Sequence, residues 1–150
     1  SSLAGFWTSS VRGVTGSTPL LVKIAPDLDD EQVAGVSRLA VELGLDGLIA
    51  TNTTLSRANL KTDDAIVEAM GAGGLSGAPL KARSLEVLRI VRQAVPAEFC
   101  VISVGGIETA DDVAERLAAG ATLVQGYTAF LYRGPLWGRE INRGLAARAK

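Results

Sequence analysis

Histidine is absent from this sequence of 150 residues, and cysteine occurs once, at Cys100. A single cysteine cannot form an internal disulfide, and without histidine the usual ligand sets for zinc are missing. Aromatic residues make up 5% of the chain, and no apolar run approaches the roughly 20 residues that a membrane-spanning helix needs. We therefore predict a fold held together by aliphatic packing, with no metal site.

An excess of charge of one sign is also lacking. The 15 Lys and Arg residues are spread along the chain among 16 Asp and Glu residues, and the formal net charge is -1. Proteins that bind nucleic acid usually cluster their basic residues on one face, so we expect no nucleic-acid partner. Residues 1–18 have neither a signal-peptide core nor a clear period. We interpret them as an irregular lead-in to one domain over residues 19–150.

Short apolar segments alternate with amphipathic helix patterns four times along the chain. The alternation predicts a parallel α/β sheet with right-handed crossovers. Four such units make the C-terminal half of a (β/α)8 TIM barrel, whose usual size is about 250 residues. The alternative is a small open doubly wound sheet, although no GxGxxG turn follows the first strand. The predicted strands are Leu20–Ala25, Leu48–Thr51, Cys100–Val104 and Thr122–Gly126, and the last predicted helix begins at Pro135.

Two glycines, Gly105 and Gly106, end the third predicted strand and lead into a helix capped by Thr109. A helix N-terminus that the backbone approaches without side chains can bind an anion such as phosphate. Glycine pairs also end many strand–helix units only to allow close packing, and both interpretations stay open. The next loop carries Tyr127 and Thr128. Two such consecutive loops fit the phosphate site that TIM barrels build after strands 7 and 8.

Lys23 lies inside the first apolar strand, where a cation needs a polar or anionic partner. Alternation along the strand separates Lys23 from Val22 and Ile24, so that Lys23 points into the barrel mouth if those two face the helices. The alternative is a lysine that reaches solvent at the rim.

Four residues with hydrogen-bonding side chains end the second predicted strand and follow it: Thr51, Asn52, Thr53 and Thr54. An asparagine suits a ligand with amide or carboxylate edges, although a polar run can equally form a cap and a turn. The long segment 52–79, with its run GAGGLSGAP, predicts a functional loop; a short helix around residues 63–70 without chemistry is the alternative. Cys100 begins its strand, which is a poor position for a nucleophile.

Five ordered blocks of sequence stand out between residues 19 and 148: VKIAPDL at 22–28, DGLIATNTT at 46–54, GGLSG at 73–77, VGGIETADD at 104–112 and LVQGYTAF at 123–130. Together they closely resemble the C-terminal half of class 2, quinone-linked dihydroorotate dehydrogenases. The resemblance implies FMN-dependent oxidation of dihydroorotate to orotate in pyrimidine synthesis, with a quinone as electron acceptor. It also implies a peripheral location on the cytoplasmic side of the cell membrane.

The resemblance assigns roles residue by residue. FMN would be bound by Lys23, Thr51, Gly77, Gly106, Tyr127 and Thr128. Asn52 and Thr53 would bind dihydroorotate or orotate. Lys23 would contact the pyrimidine edge of the flavin and stabilise the negative charge that the ring gains on reduction.

The catalytic base of class 2 members is a serine in the first half of the barrel, within an SPN-type motif that does not occur here. The first four strands and the helices that form the quinone tunnel are also missing, so we assign no catalytic residue. Two alternatives stay open: a class 1 type FMN- or phosphate-binding barrel, and a catalytically silent half barrel. Unpaired sheet edges predict self-association of the isolated chain.

Overall fold

A computed structural model describes residues 13–148 of the chain. Most of the predicted lead-in, residues 1–12, lies outside this described part, and residues 13–15 are helical. Four parallel strands form one sheet in the order β1-β2-β3-β4, so each strand pairs with the next one along the chain. The strands are β1 (Leu21–Ile24), β2 (Gly47–Ala50), β3 (Cys100–Val104) and β4 (Leu123–Gln125).

The prediction of four parallel strands is confirmed, and β3 has the predicted bounds. The other strands differ by one residue at their ends, where the chain turns into loops. The sequential strand order separates the two predicted architectures, because a doubly wound sheet reverses its order at a switch point and a barrel does not. Right-handed crossovers between sequential parallel strands place all helices on one side of the sheet, as in a barrel wall.

Six α-helices cover the described sequence between and after the strands. Two of them begin at strong caps: Asp29 and Thr109 each accept a hydrogen bond from the backbone three residues on and form a capping box. The sequence analysis missed the helix of six residues after β4, which is too short to have a clear period. The helices are α1 (Asp30–Glu42), α2 (Asp64–Ala69), α3 (Lys81–Ala94), α4 (Ala110–Ala118), α5 (Thr128–Arg133) and α6 (Trp137–Arg148), with a 3-10 turn over Ala78–Leu80.

The core lies between the sheet and the layer of α1 and α3. Aliphatic side chains from both layers exclude water there, and Val33, Leu88 and Val101 have no exposed surface. A second apolar cluster joins α4 to α6 around Val113 and Trp137. Among residues 13–148, no helix has the length and hydropathy needed to cross a bilayer.

Candidate functional site

A cleft of about 210 Å³ opens at the carboxyl ends of the strands. Lys23 of β1 and the loops that follow β2, β3 and β4 contribute to its lining, because parallel strands end at the same edge of the sheet. Every site residue predicted from the sequence lines this cleft: Lys23, Thr51, Asn52, Thr53, Gly77, Gly106, Tyr127 and Thr128. The structure therefore brings together residues that lie up to 105 positions apart in the sequence.

Lys23 enters the cleft from β1. The strand alternates as predicted: Ile24 is 4% exposed and packs into the core, whereas Lys23 is exposed on the cleft side. Among the described residues, the side chain of Lys23 has no hydrogen-bond partner and no ion pair. Its ammonium group is therefore available to a ligand in the cleft.

The end of β2 is held by backbone hydrogen bonds to both neighbouring strands. The Thr51 amide donates to the carbonyl of Val104 at 2.9 Å, and the Asn52 amide donates to the carbonyl of Ile24 at 2.7 Å. Thr51 is buried, and its hydroxyl donates to the Asn52 carbonyl. Asn52 and Thr53 are exposed, so their side chains can reach a ligand.

Thr54, the last residue of this polar run, has a structural role. Its hydroxyl donates to the carboxylate of Asp27, which also accepts a hydrogen bond from the Leu55 amide. Thr54 thus ties the loop after β2 to the loop after β1. The long segment 52–79 contains the short helix α2 that the sequence left as an alternative, and it also returns to the cleft at Gly77.

The glycine turn after β3 has a geometry that explains its sequence. Gly105 has φ +121° and Gly106 has φ +65°. A Cβ atom added at Gly106 would lie 2.5 Å from the backbone nitrogen of Lys81, at the start of α3. Close packing is therefore a sufficient reason for glycine at 106, and the residue type alone does not identify a phosphate site.

Asp112 is buried next to this turn and binds two backbone amides and the ammonium group of Lys81. It is 4% exposed, accepts hydrogen bonds from the amides of Glu108 and Thr109 at 2.9 Å, and forms an ion pair with Lys81 Nζ at 2.5 Å. Burial by itself would raise the pKa of Asp112, but the hydrogen bonds from Lys81 and the two amides outweigh it and lower this pKa to about 2.

A carboxyl group whose pKa is lower in the folded state stabilises the fold above its unfolded pKa and loses that contribution as the pH falls. For Asp112 the loss spans the range from about pH 4 to about pH 2 and reaches about 1 kcal/mol by pH 3. We expect Asp112→Asn to remove this part of the acid sensitivity, measured as the difference in free energy of unfolding between pH 6 and pH 3. An unchanged difference would contradict the assignment.

Arg116 of α4 was missed by the sequence analysis. It is 1% exposed, and its guanidinium donates to the hydroxyl of Ser103 and to the carbonyls of Lys81 and Gly105. Burial lowers the pKa of Arg116, partly offset by the charges of Glu115 and Asp112. The available signal was its spacing: Arg116 follows Val113 by three residues and therefore lies on the buried face of the helix.

The loop after β4 closes the other side of the cleft. Tyr127 is 69% exposed, and the hydroxyl of Thr128 donates to Ser76 Oγ at 3.0 Å, which joins this loop to the glycine-rich segment. Among residues 13–148, no group of three or more His, Cys, Asp or Glu side chains could bind a metal ion.

Comparison with known proteins identifies the family. The family model for dihydroorotate dehydrogenase matches residues 4–148, a range that begins within the predicted lead-in. The dihydroorotate dehydrogenase (quinone) of Leifsonia xyli subsp. xyli is 70% identical over 139 residues, which are 93% of this chain and 40% of that protein. The enzyme of the same name from Rhodococcus erythropolis is 62% identical over 136 residues, covering 91% of this chain and 38% of the relative.

The crystal structure of DHODH in complex with ferulenol from Eimeria tenella has 42% sequence identity and a TM-score of 0.77, over 85% of this chain and 33% of that one. The predicted fold is thereby confirmed as half of a TIM barrel. The chain spans about 40% of the length of the curated relatives that it matches. Because the family model matches from residue 4 to residue 148, nearly the whole chain, the chain belongs to the dihydroorotate dehydrogenase family.

Proposed function

We propose that this chain supplies one half of an FMN-dependent barrel that oxidises dihydroorotate to orotate in pyrimidine synthesis and passes the electrons to a quinone. The observation that carries the proposal is the convergence of the eight expected ligand-binding residues on one cleft. The relatives from Leifsonia xyli and Rhodococcus erythropolis are named as quinone enzymes, which supports class 2 over a class 1 type enzyme.

The donor groups of the cleft fit FMN. Lys23 offers a cation whose side chain has no partner in the described part of the chain, which suits a ring system that accepts negative charge. The backbone at Gly106 lies before the N-terminus of α4, where amide groups and the helix dipole favour a phosphate. Bound FMN would supply hydride and electron transfer. In this proposal Lys23, Thr51, Gly77, Gly106, Tyr127 and Thr128 hold it.

Asn52 and Thr53 would bind the substrate. The Asn52 side chain combines an amide donor with a carbonyl acceptor, and Thr53 adds a hydroxyl, so together they match the amide and carboxylate edges of dihydroorotate. The cleft volume of about 210 Å³ is below the roughly 300–1,000 Å³ of a complete ligand pocket. This supports the view that residues outside this sequence, including the expected serine base, complete the site.

Activity of a completed barrel tests the proposal. Residues 1–150 would be joined to the remaining part of the Leifsonia xyli relative, and dihydroorotate oxidation would be measured with a quinone, with fumarate or with NAD as acceptor. We expect turnover with the quinone and none by residues 1–150 alone. Turnover only with fumarate or NAD would favour the class 1 type, and a colourless, inactive barrel would favour a silent half.

A peripheral position on the cytoplasmic side of the cell membrane is part of the same proposal. A quinone is lipid-soluble, so an enzyme that reduces it must reach the bilayer surface. Co-sedimentation of the completed barrel with membrane vesicles tests this position, and recovery of all the enzyme in the supernatant would contradict it.

The isolated chain should self-associate. Among residues 13–148, β1 pairs only with β2 and β4 only with β3, so two edges of the described sheet carry backbone groups without strand partners. Leu123 on β4 is 58% exposed, and Leu131 on α5 is 59% exposed. We expect sedimentation velocity to detect dimers or larger species, and Leu123→Lys to shift them toward monomer. A compact monomer of the parent chain would contradict this expectation.

A further inference from the structure

The buried guanidinium of Arg116 lies directly behind the glycine turn. Nη2 donates to the Lys81 carbonyl at 2.8 Å and to the Gly105 carbonyl at 3.1 Å, while Nη1 contacts Ser103 Oγ at 3.3 Å. Ser84, which is fully buried, also donates to the Gly105 carbonyl, at 2.9 Å. One carbonyl of the turn is therefore fixed by two donors from two helices.

The direction of that carbonyl determines the direction of the next amide. The peptide bond between Gly105 and Gly106 is trans, so the Gly106 N–H points away from the Gly105 carbonyl and hence away from Arg116. Gly106 lines the cleft, and within residues 13–148 its N–H finds no acceptor. The Ile107 N–H likewise has none in the described part of the chain. Amides without a protein acceptor at the lining of a cleft are available to an acceptor on a bound ligand.

The charge on Arg116 lacks a direct counterion. Among the described residues, no carboxylate oxygen lies within 4 Å of its guanidinium, and the nearby Asp112 carboxylate is already paired with Lys81. Burying a cation without an opposite charge in contact is costly. An anion on the cleft side of the turn would lower that cost, because charges interact strongly away from water.

We propose that Arg116 is the positioning residue of the flavin-phosphate site. It holds the Gly105 carbonyl from behind so that the Gly106 and Ile107 amides face the phosphate, and its charge favours a bound anion. The proposal rests on the proposed function, because FMN supplies the phosphate. Arg116 does not line the cleft, so it acts on the ligand only by positioning the backbone of the turn.

The test uses the completed barrel and its variants Arg116→Gln and Arg116→Lys. FMN and riboflavin, which lacks the phosphate, are titrated by fluorescence, and backbone ¹⁵N order parameters are measured at residues 105–107. Val113→Ala is the matched control, because Val113 is buried on the same helix but makes only apolar contacts.

We expect Arg116→Gln to weaken the binding of FMN about tenfold or more, while the affinity for riboflavin changes by less than about twofold. This difference is expected when the charge-assisted positioning of a phosphate is lost. Order parameters at residues 105–107 should fall from about 0.85 toward 0.6. Arg116→Lys should recover most of the preference for FMN, since it keeps the charge. Val113→Ala should affect both flavins equally and leave the turn rigid.

Equal losses for FMN and riboflavin in Arg116→Gln, or an unchanged turn, would overturn the proposal. If Arg116→Gln does not fold, Arg116→Lys tests the proposal instead. A lysine cannot donate to the carbonyls of Lys81 and Gly105 with the geometry of arginine, so residues 105–107 must still be more mobile than in the parent. A completed parent barrel that binds neither flavin would count against the proposed function. The order parameters then decide the role of Arg116 independently.

Discussion

Replacing Lys23 by methionine in the completed barrel is expected to slow flavin reduction by at least about tenfold, equivalent to about 1.4 kcal/mol of transition-state stabilisation. Lys23 is the cation that β1 brings into the cleft, and it has no partner among residues 13–148 that would neutralise it. A positive charge already in place stabilises the negative charge that the flavin gains without reorganisation during the reaction. Methionine keeps an unbranched side chain of nearly the same length and removes the charge together with its hydrogen-bond donors.

Rapid mixing of the oxidised enzyme with dihydroorotate measures this rate. The fold should be unaffected, because the Lys23 side chain lies on the exposed face of β1 and contributes nothing to the core. Arg38→Met is the matched control: it removes one charge from the exposed face of α1, away from the cleft, and should leave the rate unchanged. If the flavin reduction rate of Lys23→Met lies within about twofold of the parent rate, the change is far below the tenfold effect expected for one such charge, and the assignment of Lys23 to the flavin site is wrong.

Gly106→Ala should lower the free energy of unfolding by roughly 2–4 kcal/mol. The new Cβ would lie 2.5 Å from the nitrogen and the Cα of Lys81, which are backbone atoms that cannot move aside without displacing α3. In addition, φ is +65° at this position, a conformation that alanine adopts only with strain. Chemical denaturation of the completed barrel measures the change.

Gly73→Ala is the control for Gly106→Ala. Its added Cβ would meet no atom within 4 Å, and its φ is not positive, so we expect a change within about 1 kcal/mol. Equal stabilities of the two variants would contradict the packing explanation. Because Gly106→Ala damages the fold itself, a loss of FMN in that variant would not identify a phosphate contact. The Arg116 variants separate the two effects.

The sequence predicted the strands, their parallel order and the meeting of distant residues at one cleft. These predictions succeed because apolar runs and helix caps are local signals, and because parallel strands necessarily end at the same edge of the sheet. Lys23 and Asn52 meet for that reason, although nothing local links them. The five sequence blocks then indicated the dihydroorotate dehydrogenase family, which the family model confirms.

The sequence could not predict features that depend on contacts between distant segments. Whether Gly106 serves packing or phosphate was open, and the packing partner, Lys81, lies 25 residues earlier in the chain. The hydroxyl of Ser103 on β3 accepts a hydrogen bond from Arg116 on α4, a contact between segments 13 residues apart that no local pattern reveals. The role of Arg116 also appears only when β3, α3 and α4 meet in three dimensions.

A crystal structure of the completed barrel with FMN and orotate tests the central claim most directly, because it locates both ligands against these residues. We predict that the phosphate lies at the amides of Gly106 and Ile107, the pyrimidine edge of the flavin at Lys23, and orotate at Asn52 and Thr53. A flavin bound elsewhere, or one whose phosphate lies away from the glycine turn, would contradict the account.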